Sequence, residues 1–215
     1  KTMTRLALAL ALAAAPAWAE PRGNAGSYLA ARWASTQGDY PAAARHFRRA
    51  LLRDPHESLL IDNTIAAHVV LGQVSMAAPV ALIAPEAGVT SRVSAMVEVA
   101  ALAERGDWAG VLAALEAGRS GGPMLDGLAR GWAHAALGEA AAAAEAFEAL
   151  ASEPGLRGYA LYHHGLAQAV TGDPGAAAET LAPGEGSGFP GTGRAALVRA
   201  EALGRLGRHE DALAA

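Results

Sequence analysis

Gly38-Asp39-Tyr40-Pro41-Ala42-Ala43 decides how this chain is read, because its arrangement comes back along the whole sequence. The arrangement is a glycine, one residue, often a larger side chain, and an alanine five positions after the glycine. It recurs at Gly72-Gln73-Val74 with Ala77, at Gly106-Asp107-Trp108, and at Gly138-Glu139-Ala140 with Ala143. It recurs again at Gly172-Asp173-Pro174 with Ala177 and at Gly207-Arg208-His209 with Ala212. The aligned glycines are 34, 34, 32, 34 and 35 residues apart. Random spacing among 25 glycines yields coincidences, but not with the same neighbours attached. A period this regular is the signature of a solenoid whose unit is one supersecondary element.

Each unit reads as two helices. The segment before each glycine is apolar at helical spacing, as in Leu59, Leu60, Ala66, Ala67, Val70 and Leu71. The glycine supplies the left-handed stop, where a β-carbon is penalised. A second helix follows, opened by Asp39, Asp107, Glu139 or Asp173, acidic residues that suit the positive end of a helix dipole. Asp54-Pro55, Gly118 through Pro123, Glu153-Pro154-Gly155 and Pro183-Gly184 close it. Pro79 falls inside the second helix of its unit and predicts a kink or a late start. The glycine-rich segment from Pro183 to Gly193 predicts a loop in place of a helix end. No stretch shows strand alternation, so the expected fold is all-α, an α-solenoid of antiparallel helix pairs.

Residues 24–57 resemble a tetratricopeptide repeat (TPR), with Gly38, Tyr40, Ala43, Phe47, Ala50, Leu51 and Pro55 at the spacings of that family. Residues 124–157 keep Gly138, Ala143 and Phe147, and residues 158–192 keep Gly165, Gly172 and Ala177. The other copies hold the period and the small alanine but few of the large residues. The resemblance covers residues 24–215, which divide into units 24–57, 58–91, 92–123, 124–157, 158–192 and an incomplete 193–215. It implies a right-handed superhelix. Small residues let the helices of a pair approach closely, so Tyr40, Phe47, Trp108 and Phe147 are expected as wedges in the core.

The resemblance also implies that the first helices line a concave surface, with exposed positions 13, 10, 6 and 3 residues before each aligned glycine. In this sequence those positions hold Tyr28, Arg32 and Ser35, then Asp62 and Val69, then Val93 and Met96. They continue with Leu125, Leu128 and Trp132, and with Tyr159, Tyr162 and Leu166. From the third unit onward the surface is apolar and aromatic, the composition of a partner-binding groove. No Lys or Arg recurs along it, unlike the basic clamp with which some members of the family grip carboxylate tails.

Nothing in the sequence carries catalysis. There is no cysteine, no HExxH, no phosphate-binding loop with Lys and no Gly-x-Ser-x-Gly. His163 and His164 are adjacent, so on a helix they project about 100° apart and do not chelate together. His68 and His134, each four residues before its glycine, are expected between helices. Glu98, Glu104 and Glu116 fall on different faces and form no acid–base pair. No cofactor or metal site is expected. Arg45, Arg49 and Arg53 form a stripe on the convex side with Arg48 beside it, read as a solvated helix face, the alternative being contact with lipid phosphates or an acidic partner.

The first 19 residues read as a secretory leader: Lys1 and Arg5, an apolar run from Leu6 to Ala15, and a cleavage pattern at Ala17-Trp18-Ala19. Residues 20–23 form a short lead. The run is too short for a bilayer, which needs ~20 apolar residues, and no later segment sustains one. The chain carries 17 basic and 21 acidic residues, and loss of Lys1 and Arg5 deepens its net charge of −4. That balance argues against a nucleic-acid partner. The array breaks off eight residues past Gly207, so further chain is expected beyond Ala215. The reading is a non-catalytic periplasmic scaffold that holds a protein or peptide of the cell envelope in its groove. The alternatives are a TPR arm of a larger envelope enzyme, self-association, or a groove filled by the protein's own C-terminal part.

Overall fold

The computed structural model describes residues 24–182 and 192–215. The leader, the lead and residues 183–191 of the expected loop lie outside them. Among these residues twelve helices follow one another, beginning with α1 (Ala25–Thr36), α2 (Tyr40–Leu51), α3 (Ser58–Val70), α4 (Val74–Ile83), α5 (Arg92–Glu104) and α6 (Trp108–Glu116). The second half holds α7 (Pro123–Ala136), α8 (Ala140–Ala151), α9 (Arg157–Thr171), α10 (Pro174–Thr180), α11 (Gly193–Arg205) and α12 (His209–Ala214). Among the described residues there is no strand.

The glycine turn is one local structure used six times. Gly38, Gly72, Gly106, Gly138, Gly172 and Gly207 all have φ between 68° and 94°, the region where a β-carbon is strained. In every copy the next residue donates its N–H to the carbonyl five positions back: Asp39 to Ala34, Gln73 to His68, Asp107 to Leu102, Glu139 to His134, Asp173 to Gln168 and Arg208 to Leu203. This is the 6→1 bond of a Schellman stop, which satisfies an orphan carbonyl. The same turn opens the next helix. Asp39, Asp107 and Asp173 are N-caps whose carboxylates accept from the N–H of Ala42, Gly110 and Ala176 at 3.0, 2.9 and 3.0 Å. The acidic residues therefore act by capping, one residue before the helix, rather than from its first turn.

One expectation is narrowed here and another is corrected. Helix α4 does not start late: it begins two residues after Gly72, as α2 does after Gly38, and holds Pro79 in its interior. The proline removes one donor from the ladder. Tyr40 is not a core wedge. It is the first residue of α2, beyond the packed turn, and stays 38% exposed. Phe47 and Phe147 are wedges, 2% and 1% exposed, and Trp108 is half-buried against the core.

Two buried positions trade volume from pair to pair. Seven residues before the aligned glycine stand Ala31, Ile65, Val99, Gly131 and Gly165; nine after it stand Phe47, Ala81, Leu115, Phe147 and Leu181. All ten are buried. Where the first helix gives up its side chain, the second fills the space. A β-carbon on Gly131 would lie 2.5 Å from the Phe147 ring, and one on Gly165 would lie 2.5 Å from Leu181. Close packing permits no other bargain.

Each helix packs on its sequence neighbours, and the odd-numbered helices also stack on one another: α3 on α5, α5 on α7, α7 on α9 and α9 on α11. Among the described residues no comparable contact joins the even-numbered helices. The odd helices are therefore the closely spaced inner row, and the even helices the outer one. The core is divided into local clusters along the array, as expected when each unit touches only its neighbours. At α5 a polar seam interrupts it. Arg119, in the turn after α6, donates from Nε to Glu98 Oε2 at 2.6 Å, from Nη2 to Ser94 Oγ at 3.1 Å and from Nη1 to the Val89 carbonyl. Glu98 and Arg119 are both buried.

Candidate functional site

The stripe expected to line the inner face lies on the odd helices, and none of its residues is buried. Two contiguous patches form on it. In the first, Met96 of α5 and Leu125 of α7 meet over Gly121, where a β-carbon would collide with Leu125 at 2.3 Å and Met96 at 2.8 Å. Glycine thus lets the two side chains close over the backbone between the helices. Met96 remains 44% exposed beside exposed Val93.

The second patch joins α7 to α9. The Trp132 indole N–H donates to His163 Nδ1 at 3.0 Å, with the rings edge to face at 6.2 Å. Tyr162 lies edge-on to His163 at 5.2 Å, and Trp132 lies edge-on to the core ring of Phe147 at 6.4 Å. Edge-to-face pairs at these separations are favourable for aromatic quadrupoles. The bond uses Nδ1 as an acceptor, so His163 is neutral with its proton on Nε2. Burial lowers its pKa, in the same sense. Leu128 and Trp132 both pack on the local core, so half of each serves the fold. Tyr159 stands beyond them at 57% exposure.

His164 turns the other way. It stacks on Phe147 at 5.4 Å and lines the clefts between α8 and α9. Burial lowers its pKa, and the Glu148 carboxylate opposes that by raising it. Adjacent histidines thus serve separate environments, and no group of His, Asp and Glu suited to a metal occurs among the described residues. His68 and His134 tie turns together: His68 Nδ1 is 2.9 Å from Gln73 Oε1, and His134 Nδ1 is 2.6 Å from Glu139 Oε2.

The remaining expected residues do not join these patches. Tyr28 packs edge-on against Phe47 at 6.3 Å in the first pair, and Arg32 is exposed on α1. Asp62 accepts a hydrogen bond from the Ser91 hydroxyl. Leu166 lines a separate cleft of about 300 Å³ between α9 and α11, with Val170, Pro174 and Val198. Sequence reasoning passed over His163 as a surface-forming residue and Arg119 as the partner of Glu98. The available signal for His163 was its place beside Tyr162 on the same helix, one turn removed from an expected groove position.

No protein-family model matches the sequence, and no curated protein does. Solved structures do match the fold. YrrB, described as a TPR protein with an unusual peptide-binding site, superposes with a TM-score of 0.60 at 17% identity, over 90% of this chain and 92% of YrrB. The chain has a tetratricopeptide-repeat fold. PilW, a widely conserved type IV pilus biogenesis factor, matches with a TM-score of 0.59 at 17% identity, over 88% of this chain and 89% of PilW. The Cut9–Hcn1 complex of the APC/C matches 91% of this chain but only 40% of its own, with a TM-score of 0.51 at 13% identity. Within the TPR array, no helix among the described residues is long and apolar enough to cross a membrane.

Proposed function

We propose that this TPR array is a non-catalytic scaffold of the periplasm that holds a protein or peptide partner against its inner face. The observation that carries the reading is a surface of two apolar patches, Met96 with Leu125 and Trp132 with His163 and Tyr162. It is assembled from separate helices that stack on one another and remains open to solvent. An array fixed by hydrogen bond and ring contact needs little ordering when a partner arrives, which favours affinity. The indole N–H is already engaged by His163, so Trp132 offers its ring rather than a donor. Apolar anchors of a helix or an extended segment suit such a surface. The same fold carries a peptide-binding site in YrrB and serves pilus biogenesis in PilW, both in keeping with this reading. Export rests on the leader pattern of residues 1–19.

The test separates the surface from the core. Leu128 and Trp132 support the fold, so charging them confounds binding with stability. Met96 and Tyr159 are the informative sites. Met96→Glu with Tyr159→Glu is expected to leave melting unchanged and to weaken peptides selected from an apolar display library at least ten-fold. Equal binding by the double variant and the parent would overturn the assignment. Osmotic-shock fractionation checks location separately: the processed chain is expected in the periplasmic fraction.

A further inference from the structure

The outer row of helices carries a polarity that the inner-face reading leaves unused. On α2, the exposed residues Pro41, Arg45, Arg48, Arg49 and Leu52 fall within one face at 100° per residue, opposite the buried Ala43, Phe47 and Ala50. Leu52 lies in the middle of the arginines and is 79% exposed. Arg53 continues the stripe into the turn. Among the described residues, none of these four arginines is in an ion pair or a side-chain hydrogen bond. Arg48 and Arg49 lie in the last turn of α2, where a cation suits the helix dipole, but no described side chain of the array pairs with any of the four.

The positions in register with Arg45 are Pro79 on α4, Ala113 on α6, Glu145 on α8 and Glu179 on α10. Those in register with Arg48 are Leu82, Glu116 and Glu148. The outer face thus runs from basic through apolar to acidic. Next to the arginines, α4 exposes Met76, Pro79 and Ile83. A face made only of arginine would suit an acidic protein. Here the charge stands beside exposed aliphatic side chains, and both lie at one end of an outer row whose later helices α8 and α10 present Glu145, Glu148 and Glu179.

We infer that the outer face of α2 and α4 is a docking surface for an anionic lipid bilayer. The arginines pair with lipid phosphates through their planar, multiply donating heads. Leu52 and Ile83 enter the interface between headgroups, and Glu145, Glu148 and Glu179 are repelled from it. The array then lies with its first two pairs on the membrane and its apolar inner face free. This contact is peripheral and does not depend on the groove.

The test is flotation of the chain with vesicles of phosphatidylcholine, with and without about one-third phosphatidylglycerol. The parent is expected to float with the anionic vesicles only, and to be released as salt shortens the Debye length to about 3 Å at 1 M. Arg45→Gln, Arg48→Gln, Arg49→Gln and Arg53→Gln together are expected to lower partitioning by about 600-fold, each arginine contributing about five-fold. Leu52→Ser alone is expected to weaken it by several-fold at unchanged charge. All five side chains are exposed, so melting curves should coincide with the parent. A parent that does not float, or a quadruple variant that floats equally well, overturns the inference. So does concentration-dependent self-association of the parent that the quadruple variant abolishes, since that assigns the arginines to the acidic outer positions of α8 and α10 in a second copy.

Discussion

The third and fourth helix pairs join the same kind of array by opposite means. In α5 and α6 the junction is charged: Arg119 reaches from the turn after α6 to Glu98, Ser94 and the Val89 carbonyl, all within α5 or just before it. In α7 and α8 it is a matter of shape: Gly131 leaves room for Phe147, which Trp132 flanks edge-on and His164 covers by stacking. The first junction is specified by hydrogen bonds, the second by complementary volume. The charged one has few fallback states, because a buried charge that loses its partner cannot return to water. The aromatic one tolerates exchange so long as the volumes still add up.

The largest effect that would sharpen this contrast is at the charged junction. Arg119→Ala strands Glu98 in the interior and is expected to cost about 3–5 kcal/mol in urea unfolding. Replacing both members, as Arg119→Met with Glu98→Leu, is expected to recover most of that loss. A small effect of the single change would show that the seam is wetter than its burial indicates. At the aromatic junction, Gly131→Val is expected to cost up to about 3 kcal/mol by overpacking against Phe147. Adding Phe147→Leu reproduces the Val99 and Leu115 combination of the third pair and should restore much of the stability. Failure of that rescue would break the idea that the two positions trade volume.

Smaller effects distinguish the turns between the pairs. Asp107→Ala removes the cap of α6 and is expected to cost about 1 kcal/mol. Glu139→Ala, at the aligned position of α8, should cost less, since its carboxylate makes no cap bond and instead meets His134. Thermal melts of the two variants side by side check the ranking. The smallest effect is pH dependence at the aromatic junction. Burial holds His163 and His164 below the usual 6.5, so the native state binds fewer protons than the unfolded chain. Stability from these groups is full above pH 6.5 and falls as pH drops toward their lowered native values. His163→Asn keeps an acceptor for the Trp132 N–H and does not titrate. Its melting temperature should therefore fall less than the parent's between pH 7 and 5, and identical slopes would remove His163 from the explanation.

Much of the fold was legible before any coordinates, because the features that punctuate it act locally. A glycine forced to positive φ, an aspartate one residue later and an alanine four beyond that are read within one turn of chain. Phe47 and Phe147 were readable as wedges for the same reason: their places relative to the aligned glycines recur. Tyr40 was misread because its spacing matches a wedge while its place at the first residue of α2 carries it past the packed turn. Of the two outcomes expected at Pro79, a kink or a late start, the late start is excluded, and packing on α3 and α5 holds α4 in register.

By itself, then, the sequence determined the period, the helix pairs, the stops and caps between them, and the apolar character of the inner stripe. The tertiary structure alone decided which residues of that stripe meet. Trp132 and His163 are 31 positions apart, and Arg119 and Val89 are 30 apart. Whether such residues touch depends on how closely one helix approaches the next, which Gly121, Gly131 and Gly165 set through the side chains they omit. Local hydrogen bonding writes itself along the chain at fixed spacing. Contact between stacked helices depends on their separation and crossing, and these exist only once the neighbouring unit has folded against them.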